Sequence, residues 1–279
     1  MIKIVTDSTA YLSDEYVDQH DIRVVPLYVH FGQEAFREGV DLSNKEFYAR
    51  LKAAPELPTT SQPSAGEFHE VFKELTDAGH EIITLTISSK LSGTWNSAMA
   101  AKDMLPDAKI SVIDSLNTSI GLELMVKATL DAIAAGASRE EVAAKIEEMK
   151  PKVQLLFVVD TLEYLAKGGR IGNARAFLGT LLKVKPILTL QDGVIEPLEQ
   201  VRSKGKAVNR MVDIVVESVG ENCSEARVGV LNALALDEAY ACAQEIQGRL
   251  GCTDPFVSNL GPVIGTHTGP GAIGMVAYA

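Results

Sequence analysis

Short apolar runs rich in β-branched residues alternate with helix-forming runs along the first half of this chain, and that alternation leaves few folds open. "IKIVT" (Ile2–Thr6) reads as a strand, and a polar turn and a helix beginning near Ser13 follow it. "IRVVPLYV" (Ile22–Val29) is the next strand, but Pro26 has no N–H to give a ladder, so the strand is at an edge or broken there. Helix starts carry capping boxes, Ser43 with Glu46, Ser64 with Glu67 and Ser138 with Glu141. "EIITLTIS" and "AKISVIDS" are strands, each followed by a helix, at Thr94–Leu105 and Ile120–Ala135. Strand–helix repetition of this kind predicts a largely parallel sheet flanked by helices.

The pattern shifts after Lys150-Pro151. "VQLLFVVD" is a strand, a glycine- and arginine-containing segment "AKGGRIGNAR" follows, and "PILTLQDGVIEPLEQV" reads as a hairpin turning at Asp192-Gly193. A helix (Lys204–Ser218), a strand (Ala226–Ala233), a helix (Asp237–Leu250) and two short strands complete the chain. The expectation is an α/β protein of two domains, 1–152 with the parallel sheet and 153–279 with an antiparallel element. A length of 279 residues suits two such units.

Composition narrows the function. With 46% apolar and 23% charged residues the chain has material for a full core without a metal or disulfide staple. A net charge of −11 argues against nucleic acid and anionic membranes as partners, since both need a basic face. Cys223, Cys242 and Cys252 lack CxxC spacing and are expected as thiols of a reducing compartment. The five histidines lack HxxxH spacing, so a dedicated metal site is not expected. No run reaches membrane-spanning length and the N-terminus enters a strand directly, so a cytoplasmic protein is expected.

Four clusters of small polar residues fall where the alternation places loops: "TDSTA" (Thr6–Ala10), "PTTSQPS" (Pro58–Ser64), "SSKLSGT" (Ser88–Thr94) and "GTHTGPGAIG" (Gly265–Gly274). Loops at the carboxyl edge of a parallel sheet are where ligands bind, and hydroxyls at helix starts suit an anionic oxygen group. Each cluster taken alone is more readily explained by helix capping than by a site. Ser92 lacks the first glycine of a G-x-S-x-G elbow, which weakens a serine-esterase or acyltransferase role with His267 as base. "GPGAIG" formally matches G-x-G-x-x-G, but only five residues follow it, too few for a dinucleotide fold. His267 sits among glycines that permit close approach, in what reads as a turn. Arg170, with Lys167, Lys183 and Lys185, forms a local basic patch, and Arg202 lies in the basic run "VRSKGK"; the default for both arginines is a solvated surface charge.

In this order, "IVTDST", "TTSQPS", "LSGTWNSA", "VIDS", "KGGRI", "KVKPIL…DG" and "HTGPGAIG" resemble the DegV family of bacterial fatty-acid-binding proteins, over the whole chain. The resemblance implies two α/β domains with a long-chain fatty acid held between them and no other cofactor. It implies a separate dihydroxyacetone-kinase-like fatty acid kinase that phosphorylates the carboxylate, this protein being a carrier, expected as a monomer, without catalysis of its own. Carried over by motif, Thr60, Ser61, Ser92 and His267 would hold the carboxylate and Arg202 would face the kinase. Arg170, Gly93 and Thr94 would either touch the ligand or structure its loops. Hydroxyl donors suffice for a carboxylate, and Thr60 and Ser92 are expected at helix starts at the edge of the parallel sheet.

Overall fold

In the computed structural model β1 (Ile2–Asp7) runs into a 3₁₀ turn, and α1 (Asp14–His20) follows, with Ser13 as N-cap. Next come β2 (Arg23–Val25), β3 (Tyr28–Phe31), β4 (Glu34–Arg37), α2 (Asn44–Ala53) and β5 (Thr59–Ser61). The first half continues through α3 (Ala65–Asp77), β6 (Glu81–Thr86), α4 (Thr94–Asp103), β7 (Ile110–Asp114), α5 (Ile120–Ala134) and α6 (Arg139–Met149). Then follow β8 (Gln154–Val158), α7 (Glu163–Lys167), β9 (Lys185–Gln191), β10 (Val194–Val201) and α8 (Lys204–Val219). The chain closes with β11 (Arg227–Asn232), α9 (Leu236–Leu250), β12 (Phe256–Asn259), α10 (Pro262–Thr268) and β13 (Ile273–Tyr278). The structure describes all residues except 179–183, 221–222, 224–225 and 252–253.

Among the described residues, three sheets form. The first, in the order β2-β1-β6-β7, is parallel throughout. The second, β10-β9-β8-β13-β11-β12, is antiparallel except where β11 meets β12. A small antiparallel sheet, β4-β3-β5, was not revealed by sequence periodicity. Pro26 divides the run Ile22–Val29, so that β2 joins the parallel sheet and β3 the small one. All three expected capping boxes are closed. Asp192 and Gly193 both take positive φ (49° and 79°), the requirement of a two-residue hairpin turn whose twist matches its strands.

α5 decides how the halves meet. Its sequence, "IGLELMVKATLDAIA", is apolar on nearly every face, which is tolerable only in a core. It touches β1 and β6 of the parallel sheet and β8, β11 and β13 of the second sheet. One continuous apolar cluster therefore includes Ile4 and Leu85 from one sheet, Leu124 from α5, and Leu155 and Val276 from the other.

Two expectations change. Cys223 is disulfide-bonded, so the cysteines are not all thiols; Cys242 is a buried free thiol, and Cys252 lies outside the described residues. The segment carrying His267 is helical, because Pro262 opens α10 with φ suited to a first helical position and buried acceptors meet its N–H groups. No helix among the described residues is long and apolar enough to cross a membrane.

Candidate functional site

Between the parallel sheet's carboxyl edge and the second sheet lies a cleft of about 820 Å³, open solvent at its mouth included. Its walls are mostly aliphatic: Ile87 and Leu91 from the β6–α4 loop, Leu155 and Phe157 from β8, and Leu231 from β11. The polar part of the lining includes Thr60, Ser61, Ser92, Arg170 and His267, which the fold thus brings to one cavity.

Each polar residue arrives by a different route. Thr60 lies on β5, paired to Val29 of β3, and not at a helix start on the parallel sheet. The correction has a physical cause: β3, freed by Pro26, offers β5 a strand edge. Ser61, next along β5, shares a 2.8 Å hydrogen bond with His30 Nε2. Ser92 follows β6, where Asp7 Oδ2 accepts the Ile87 N–H at 2.7 Å and fixes the start of the loop. Gly93 is the N-cap of α4 and makes no side-chain cap bond. A Cβ on Gly93 would come within 2.9 Å of Gln62 Nε2, so glycine allows the "TSQP" and "LSGT" loops to touch. Thr94 is buried, and its hydroxyl shares a 2.9 Å hydrogen bond with Ser92 Oγ.

His267 is 8% exposed, and its Nε2 lies 2.8 Å from Thr60 Oγ1. Desolvation, and secondarily the Arg170 guanidinium, push its pKa down to about 4, so the imidazole is neutral at pH 7. Gly168 packs against the ring at Nδ1 with no room for a side chain, and Nδ1 has no hydrogen-bond partner. Arg170 is turned inward rather than solvated: Nε donates to Leu91 O at 3.0 Å and Nη1 to Gly168 O at 2.8 Å. It ties the glycine segment of the second half to the loop that carries Ser92. Of its expected companions, Lys167 is exposed, Lys185 donates to Asp160 O at 2.6 Å, and Lys183 lies outside the described residues.

Two buried carboxyls lie behind the site, and of these Glu38 had no flag in sequence. Glu38 Oε1 accepts the Val263 N–H at 2.6 Å and the Tyr11 hydroxyl at 3.2 Å, while Oε2 accepts the Ser8 hydroxyl at 2.6 Å. It therefore holds the N-terminus of the helix whose other end presents His267. Asp7 did lie in a noted polar cluster, but its partners Thr9 and Ile87 became evident only in the fold. Burial pushes Glu38 up to about 7 and Asp7 up to about 6.

Chemically, the arrangement suits holding an anion better than attacking one. Ser92 pairs with Thr94 and His267 with Thr60, so no Ser92–His267 hydrogen bond forms and the serine has no base. Arg202 takes no part in the cavity: it is exposed at the β10–α8 junction, without an ion pair among the described residues.

Known proteins share this architecture. The family model of the DegV family, described as uncharacterised proteins, matches residues 1–279. The chain is 41% identical to a DegV domain-containing protein of Halalkalibacterium halodurans, over 99% of this chain and 98% of that one. It is 38% identical to Protein DegV of Bacillus subtilis, over 98% of each. A DegV family protein from Thermus thermophilus, whose structure concerns fatty acid binding, superposes with TM-score 0.94 at 36% identity, over 100% of this chain and 99% of that one. A stearic-acid-binding protein from Eubacterium ventriosum gives TM-score 0.93 at 32% identity, over 100% and 98%.

Proposed function

The chain belongs to the DegV family, and we propose that it binds a long-chain fatty acid and presents the carboxylate to a separate kinase for acyl-phosphate formation. The observation that carries this reading is the cavity itself: aliphatic walls with hydroxyls and one neutral imidazole gathered along part of its lining. Each methylene moved from water into such walls contributes about 0.8 kcal/mol, so the chain supplies most of the affinity.

The carboxylate then needs donors. For Thr60 to donate to it, the Thr60 oxygen must accept from His267, which puts the imidazole proton on Nε2. Ser92 donates from the loop wall, and Ser61 lines the same cavity. Arg170 orients the Ser92 loop through Leu91 O, with Gly93 and Thr94 shaping its exit into α4. We read residues 1–152 and 153–279 as two domains meeting at the cavity, with Arg202 on the face offered to the kinase.

The test has two stages. Protein purified and extracted with organic solvent should release a long-chain fatty acid, seen by mass spectrometry. Reloaded protein incubated with a dihydroxyacetone-kinase-like fatty acid kinase and ATP should yield acyl phosphate. Absence of bound acid and of any uptake by the stripped protein would refute the binding role; uptake without phosphorylation would refute the kinase role alone.

A further inference from the structure

Among the described residues, six helices have a serine as N-cap. Ser13, Ser43, Ser64, Ser138 and Ser203 each accept a backbone N–H of the first turn, as such serines ordinarily do. Ser119, the N-cap of α5, does not. Its hydroxyl has no hydrogen-bond partner in the protein although the residue is only 2% exposed. The neighbouring Thr118 hydroxyl is likewise unpartnered at 8% exposure. Thr6, Thr84 and Thr86 also have unpartnered hydroxyls, but they lie in or beside strands of the parallel sheet and none lines the cavity. Thr118 and Ser119 both line it.

Further features single out this corner. α5 spans 15 residues (Ile120–Ala134), and its positive end opens where Thr118 and Ser119 meet the cavity. Ser119 holds φ 53° and ψ −133°, a conformation that favours glycine, yet the residue is a serine. A buried hydroxyl set against a bare alkyl chain would stay unpartnered and bear its full desolvation cost. A fatty acid offers one polar group, its carboxylate, with acceptor capacity beyond what two hydroxyls fill.

We propose that Thr118 and Ser119, at the N-terminus of α5, form a second wall of the carboxylate seat, facing Thr60, Ser92 and His267 and making the site selective for an oxyanion-headed lipid over an uncharged one. This rests on the fatty-acid reading above. Held between hydroxyls from β5 and from the loops before α4 and α5, and the positive end of a buried helix, the anion needs no paired cation.

Calorimetry with palmitate and with methyl palmitate, which keeps the chain and loses the charge, tests it. Wild type should prefer the acid. Ser119→Ala should weaken palmitate by about 10-fold or more, the cost of losing a hydrogen bond to a charged group, and methyl palmitate by less than about 2-fold. Stability of the lipid-free protein should be unchanged or higher, since no protein hydrogen bond is lost. Should the alanine variant fail to fold, Ser119→Gly suits the same backbone and should show the same selective loss; Thr118→Val should add to it. Unchanged palmitate affinity, or equal losses for acid and ester, would overturn the assignment. Binding of neither lipid by wild type would refute the underlying reading, and this one with it.

Discussion

At Ser92 and His267 two hydrogen bonds decide what the site can do. Ser92→Ala should weaken fatty-acid binding by roughly 1–3 kcal/mol, the range for a hydrogen bond to a charged acceptor. The fold should persist, because Gly93 and not Ser92 is the N-cap of α4. Unchanged affinity on a stripped sample would remove Ser92 from the seat. His267 makes a separate prediction: an imidazole pushed down to about 4 should remain neutral from pH 8 to pH 5. Nitrogen chemical shifts of the ring, followed by NMR, should show no titration in that range, and a midpoint near 6.5 would contradict the burial argument. The types of residue at this site were legible in the sequence as polar clusters in loops. Their pairings were not, since Thr60 and His267 are 207 positions apart and meet only through the fold.

Among the elements, α10 shows where sequence patterns fall short. Glycines at 265 and 269 read as turn punctuation, yet the segment is helical because a carboxyl from the distant Glu38 accepts its Val263 N–H. Glu38 also sets a pH dependence. Its pKa is raised from 4.5 to about 7, so the folded protein keeps a proton that the unfolded chain loses. That stabilisation is complete below about pH 4.5 and is lost as pH rises through about 7, a change on the order of 3 kcal/mol. Asp7 acts in the same direction up to about pH 6, whereas His267, depressed, makes stability rise with pH between about 4 and 6.5. Subtracting Glu38→Gln from wild type isolates the Glu38 share. In urea unfolding, the wild-type advantage over the variant should shrink between pH 4.5 and 8, and an advantage that grows over this interval would show that the carboxylate, not the acid, is the stable form. At the β10–α8 junction, Arg202→Ala should leave fatty-acid affinity intact and slow acyl-phosphate formation, with added salt narrowing the gap. Normal turnover across a salt series would make Arg202 an ordinary surface charge.

For the whole molecule, alternation and turn chemistry made most elements and both main sheet types legible. The parallel sheet follows from strands separated by capped helices, and the hairpin from Asp192-Gly193. What stayed hidden is long-range: the small β4-β3-β5 sheet, whose short strands have too few residues for a period, and the placing of α5 between two sheets. The cavity is a product of that packing, which is why no motif describes its walls. Its aliphatic lining makes the central claim measurable by titrating stripped protein with saturated fatty acids of increasing length in a calorimeter. Binding should be one to one, and affinity should rise by about 0.8 kcal/mol, close to fourfold, for each methylene buried until the cavity is filled. Affinity that is absent, or that stays flat from short to long chains, would contradict the claim that this cleft is built to bury an acyl chain.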